Sequence, residues 1–157
     1  MQFKLTIKTL WWILVFLAIS YFIGKITLQN MEWYQTLTKS PLTPPRIVFP
    51  IVWNLLYIML ASAGSLLWAR NDQKSGKKHL IFFAAYMFMN WSWSLVFFAK
   101  HMVTIGFIWI IISNFLLLFI IISLWLKKQK IEFMLLTPTL LWGIFAAYLN
   151  GYIFLAN

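Results

Sequence analysis

The chain has 157 residues, 62% of them hydrophobic and 20% aromatic, and only 10% charged, against about 25% in an ordinary soluble domain. A water-soluble fold of this size would expose far too much apolar surface, so lipid is the solvent. The net charge of +10 does not point to nucleic acid, because the lysines sit in short loops at the ends of apolar runs, where membrane proteins place them; the absence of Cys excludes disulfides, thiolate catalysis and Cys-ligated metal sites.

The first apolar run, Thr9–Gly24, lies between Lys8 and Lys25 and is extended by Leu5, Ile7, Ile26 and Leu28. It is Trp-rich and bulky, with no clean small-residue cleavage site after it, so a retained helix over 5–28 is expected rather than a cleaved signal peptide. A long connection, 27–46, follows. It holds Glu32, Trp33 and Tyr34 and then "SPLTPPRIVFP". Pro44 and Pro45 fix φ and donate no N–H, so they suit the first turn of a helix, with Thr43 placed to cap it. Trp33 and Tyr34 suit the membrane interface, and the segment reads equally as a surface anchor or as a stiff lid.

Four further runs each approach or exceed the roughly 20 residues that span a bilayer. The expected helices are 45–69, 79–99, 102–126 and 131–156. Between the second and third, "RNDQKSGKKH" reads as a solvated turn with Ser75–Gly76 at its tip. The expectation is an all-α membrane protein, a single-domain bundle of five transmembrane helices covering 1–157. Lys4, Lys8, Arg70, Lys74, Lys77, Lys78, Lys127, Lys128 and Lys130 fall on one side, against Lys25, Lys39, Arg46 and Lys100 on the other. The basic excess places the N-terminus in the cytoplasm, with the 27–46 loop and the C-terminus outside.

No charged side chain lies at the centre of any run, which argues against a proton pump, a voltage sensor or a carboxylate relay. The polar residues at depth are Asn54, Asn90, Ser92, Ser94, Ser113, Asn114 and Asn150. Asn114 reads as interhelical glue. Trp53 and Tyr57 share a helical stripe with Ala61 and Gly64, Trp142 shares one with Pro138 and Ala146, and Asn90 one with Trp93 and Phe97. Such faces suit either bundle packing or the wall of a pocket for a flat, apolar ligand. No catalytic or metal-binding constellation can be assembled. His79 and His101 stand at helix ends, where solvent is expected to reach them, and Glu32, Asp72 and Glu132 fall in three different loops.

Three segments together resemble one known family. "WYQTLTKSPLTPPRIVFPIVWNLLY" (Trp33–Tyr57), "NWSWSLVFF" (Asn90–Phe98) and "LLTPTLLWGIFAAYLNGYIFLAN" (Leu135–Asn157) look like the signatures of the TspO, or translocator protein, family, also called tryptophan-rich sensory proteins. The resemblance is to the bacterial type. It implies a five-helix bundle, often a homodimer, in the bacterial cytoplasmic membrane. It also implies a pocket for protoporphyrin IX or haem-related tetrapyrroles, with isoquinoline or benzodiazepine-type drugs as further ligands and lipid as the surrounding partner. Carried over by motif position, the ligand-binding residues are Pro44, Phe49, Trp53, Tyr57, Asn90, Trp93, Trp142 and Ala146. Lys39 and Arg46, near the mouth, are placed to meet propionates. No cofactor is required beyond the porphyrin itself, as ligand or substrate. The implied activity is reception or carriage of the ligand; the alternatives are light-dependent oxidation of bound protoporphyrin IX with Trp53 and Trp142 as catalytic residues, and regulation of stress signalling. The chain departs from the family pattern at Leu42, where relatives often carry Trp, in the third helix, where Trp–Pro is common but Trp93 is followed by Ser94 and Leu95, and at Trp109, early in the fourth helix, where many members carry an acidic residue nearby.

Overall fold

The computed structural model describes residues 6–72 and 74–157, with Lys74 and Ser75 described by their backbone alone. The expected helix start at Leu5, and Lys4 among the basic residues, lie outside the described residues. Among the described residues the fold is all-α, and five helices are long and apolar enough to cross a membrane: Ile7–Gln29, Val48–Ala69, Gly76–Ala99, Val103–Leu126 and Lys130–Ala156. The elements in chain order are α1 (Ile7–Gln29), a short α2 (Met31–Thr36), α3 (Val48–Ala69), α4 (Lys74–Ser94, running on as a π-helix over Leu95–Ala99), α5 (Val103–Leu126) and α6 (Lys130–Ala156).

α3 is the centre of the bundle and packs on α1, α4 and α6; α5 closes the far side against α4 and α6. Its sequence explains that position. Ala61, Ser62, Ala63, Gly64 and Ser65 are all buried, and small residues let helix backbones approach closely in lipid, where no hydrophobic force draws helices together. A Cβ on Gly64 would stand 2.7 Å from the Trp12 ring and 2.8 Å from that of Phe83, so only glycine lets α1 and α4 meet there. Ser65 adds a polar tie: its Oγ lies 3.0 Å from Oγ1 of Thr9, buried on α1. Asn114 behaves as interhelical glue, its Nδ2 donating to the Gly143 carbonyl at 2.8 Å. The opposite faces are apolar and exposed, among them Phe115, Phe119 and Ile122 on α5 and Leu141 and Ile144 on α6, the pattern expected where lipid completes the surface.

Several local expectations are corrected. The 27–46 connection is not a plain loop, because α2 forms within it. Pro44 and Pro45 precede the first helical turn rather than occupy it; α3 begins at Val48, after Ile47, and has no side-chain cap, so Thr43 is not its cap. Instead, Ser40 organises a turn. Its carbonyl accepts from Thr43 N at 2.9 Å and its Oγ from Leu42 N at 3.1 Å, with Pro41 in the position that pre-sets φ. Pro50, within the first turn of α3, takes the place expected for the earlier pair. Gly76 lies inside α4 and is buried, not at a turn tip.

His79, expected in solvent, and Glu132, expected in a loop, are also inside. His79 is 4% exposed and Glu132 is 0% exposed. Glu132 falls in the first turn of α6, and the Arg70 guanidinium reaches one of its oxygens at 2.9 Å. His79 Nε2 lies 2.7 Å from Ser123 Oγ on α5. A carboxylate can sit at that depth because a cation and the positive end of α6 both face it.

Candidate functional site

The site is built where the chain returns from α2 to α3. This return is a strap that descends along α6. At its top, the Asn157 side chain pairs with the Thr38 backbone in both directions, accepting from Thr38 N at 3.0 Å and donating to Thr38 O at 3.2 Å. Lower down, Ser40 Oγ lies 3.0 Å from the Tyr148 hydroxyl. Lower still, where the strap has become α3, the Phe49 ring meets Trp142 edge-on, with centroids 6.0 Å apart. The order 157, 148, 142 against 38, 40, 49 fixes the direction of the strap. Pro44 and Pro45 suit such a segment, since proline needs no ladder partner, and Pro41 serves the Ser40 turn.

Beneath the strap, α3 presents Phe49 and, one turn on, Trp53, and then Tyr57. The Trp53 and Tyr57 rings are 5.5 Å apart and tilted. Tyr57 is buried, and its hydroxyl donates to Asn90 Oδ1 on α4 at 2.9 Å. Asn90 Nδ2 in turn donates to Tyr86 Oη at 3.4 Å. Trp53, Tyr57 and Asn90 are thereby brought together, with the amide oriented by two phenols. Trp142 contributes an indole N–H that is buried and has no acceptor among the described residues.

Trp93 and Ala146 meet at a second place. Trp93 packs against the buried cluster of Ile110, Ala146 and Ala147, stacks on Phe97 at 5.1 Å and donates its Nε1–H to the Gly106 carbonyl at 3.1 Å. Its polar atom is therefore already used. Pro44 is half-buried in the strap. Lys39 does not present its charge to the site. Its Nζ donates to the carbonyls of Tyr34, Gln35 and Leu37 at 3.0, 3.2 and 2.6 Å, closing the C-terminal end of α2. Arg46 is exposed and lies against the Gln35 carboxamide. Leu42, at the tip of the turn, is 64% exposed and points away from the bundle core.

α2 covers this end of the bundle. Trp33 and Tyr34 pack on the buried pair Phe97 and Phe98, with Trp33 edge-on to Phe97 at 5.5 Å and Tyr34 tilted against Phe98 at 5.4 Å. The π-helix turns these two consecutive phenylalanines inward together, since its wider turn breaks the ordinary helical spacing. Burial pushes the Tyr34 phenol above its ordinary pKa. The sequence carried no sign of the π-helix. It begins at Leu95, directly after Ser94.

Comparison with known proteins agrees with this architecture. Residues 11–155 match the family model described as TspO/MBR family. The chain is similar to the tryptophan-rich protein TspO of Chlorobaculum tepidum, 31% identical over 141 residues and covering 85% of each chain. It is also similar to the tryptophan-rich sensory protein of Cereibacter sphaeroides, 33% identical over 76% of this chain and 73% of that one, and to the translocator protein of Ovis aries, 27% identical over 86% of this chain and 78% of that one.

Proposed function

Because the chain belongs to the TspO/MBR family, we propose that this integral membrane protein is a receptor or carrier for a flat tetrapyrrole of the protoporphyrin IX type. The ligand lies between α1, α3, α4 and α6, beneath the strap and α2. The observation that carries this reading is Trp142: its indole N–H is buried without an acceptor among the described residues, beside an aromatic partner, Phe49, at 6.0 Å. An unpaired buried donor costs about 1–3 kcal/mol, a cost that a ligand bearing nitrogen or oxygen acceptors removes. A macrocycle offers both an acceptor and a broad apolar face for Trp53 and Trp142. Asn90, held by Tyr57 and Tyr86, supplies one oriented amide. Propionates would find Arg46 at the mouth rather than Lys39, whose ammonium is taken up by the end of α2.

Relatives named "tryptophan-rich sensory protein" and "translocator protein" support reception or movement of a ligand as the role. In our reading the basic end of the bundle, with Arg70, Lys77, Lys78, Lys127, Lys128 and Lys130, faces the cytoplasm and the strap faces outward. The protein works as a homodimer in the bacterial cytoplasmic membrane.

The test is a titration of the purified protein in lipid nanodiscs with protoporphyrin IX, following tryptophan fluorescence and the Soret band. Saturable quenching with a shifted Soret band is expected, weakened in Trp142→Leu. Quenching that is linear in porphyrin, or is the same in the variant, overturns the reading.

A further inference from the structure

His101 is the residue at which the α4–α5 turn touches α2. Its φ is 55°, in the left-handed region, which few side chains other than Gly, Asn, Asp and His adopt. Its imidazole stacks face to face on the Trp33 indole, with centroids 4.1 Å apart and planes 10° apart. Its Nε2 lies 3.2 Å from Asn30 Oδ1, at the residue that joins α1 to α2. The Asn30 amide is fixed in orientation, since its Nδ2 donates to the Ile26 carbonyl at 2.8 Å. Oδ1 must therefore accept, and His101 Nε2 must carry a proton. One ring thus holds both the hinge of α2 and its central tryptophan, while the ring itself stays in contact with solvent.

We propose that His101 is a positioning residue, a proton-dependent clasp that holds α2 down on the bundle mouth. In the neutral ring the stack on Trp33 is dispersive and the bond to Asn30 is an ordinary one. Protonation of Nδ1 places a full cation over the indole face and makes the Nε2–H bond to Asn30 charge-assisted. The charged groups on the elements packed around the ring are Glu32 on α2, Lys100 before the ring in the same turn, and Lys25 on α1, whose Nζ sits over Tyr21 at 4.7 Å. None of them forms an ion pair with His101; among the described residues the ion pair is Arg70–Glu132. The proton is therefore read by Trp33 and Asn30. Trp33 passes the constraint to Phe97 and Phe98, at 5.5 and 6.4 Å. With the ring charged, α2 is held more tightly against the bundle, and a bound ligand leaves more slowly.

The clasp rests on the proposed binding site only for what α2 covers, and its test needs no ligand. Amide hydrogen exchange of α2 (Met31–Thr36) is measured on the full chain in nanodiscs at about pH 7.5 and about pH 5.5, corrected for intrinsic rates. Exchange in the wild type is expected to slow about three-fold at the lower pH, the size of a surface cation–π contact. His101→Phe keeps a stacked ring but cannot charge. His101→Asn tolerates the left-handed backbone and guards against a folding failure of the first variant. Both are expected to lose the pH dependence. Wild-type exchange that does not change with pH, or a pH dependence that survives in either variant, overturns the proposal. A pH-dependent α2 in a protein that binds no porphyrin would leave the clasp standing and remove only the ligand reading.

Discussion

The Arg70 guanidinium reaches a carboxylate oxygen of Glu132 at 2.9 Å, and Glu132 has no exposed surface. The pair joins the end of α3 to the start of α6 on the side of the bundle away from the strap. Breaking such a pair by deleting one partner leaves an uncompensated buried charge. Arg70→Ala is expected to cost about 3 kcal/mol, the low end for a buried pair because Arg70 itself is partly exposed. Glu132→Gln, which removes the charge with the partner left in solvent reach, should cost less. Thermal unfolding of both variants in the same detergent checks the order; a wild-type transition in Arg70→Ala would refute it.

Asn114 and Gly143 make a second testable pair. The Asn114 amide bonds the Gly143 carbonyl, and a Cβ at position 143 would collide with Asn114 Oδ1. Gly143→Ala is expected to destabilise the α5–α6 contact by about 1–3 kcal/mol, as overpacking does. Asn114→Ala in the same chain should restore part of that loss, because the clash goes with the amide. Additive losses in the double variant would show that the two residues do not meet.

The strap depends on exposed or partly buried hydrogen bonds, each worth about 0.5–1.5 kcal/mol. Asn157→Ala removes both bonds to Thr38, and Ser40→Ala removes the contact with Tyr148 and the turn bond to Leu42. Global stability should barely change. Exchange of the amides at 38 and 42–43 should rise several-fold, since local opening and not global unfolding then governs them. Unchanged exchange in both variants would mean that the prolines alone hold the strap.

At the proposed ligand site the two ends of the bundle should answer differently. Trp142→Leu and Trp53→Leu are expected to weaken protoporphyrin IX binding about five- to ten-fold, the loss of roughly 1 kcal/mol or more of aromatic contact each. Trp125→Leu, an exposed tryptophan at the basic end, should leave affinity unchanged. A titration in which Trp125→Leu weakens binding as much as Trp142→Leu would place the porphyrin elsewhere.

Much of the packing at the candidate site is legible because helical periodicity and motif order both act locally. Trp53 and Tyr57 fall on one stripe whatever α3 packs against, and the Phe49–Trp142 and Tyr57–Asn90 contacts link residues that the family motifs had already marked. Lys39 and Pro44–Pro45 were misjudged for the opposite reason. Their roles depend on where a connection runs, and an extended strap has no period from which its path can be read. Positions near the ends of apolar runs suggest solvent for His79 and a loop for Glu132. Their burial follows from partners on other helices, Ser123 for one and Arg70 for the other.

The sequence by itself determined the solvent, the helices and the family. Hydrophobic content and run length are summed over the chain, so they survive any error in placing a single residue. Only the tertiary structure decided the strap along α6, the inward turn of Phe97 and Phe98, the buried Arg70–Glu132 pair and the stack of His101 on Trp33. Each of these joins residues distant in sequence, through contacts whose energy exists only once the helices have packed.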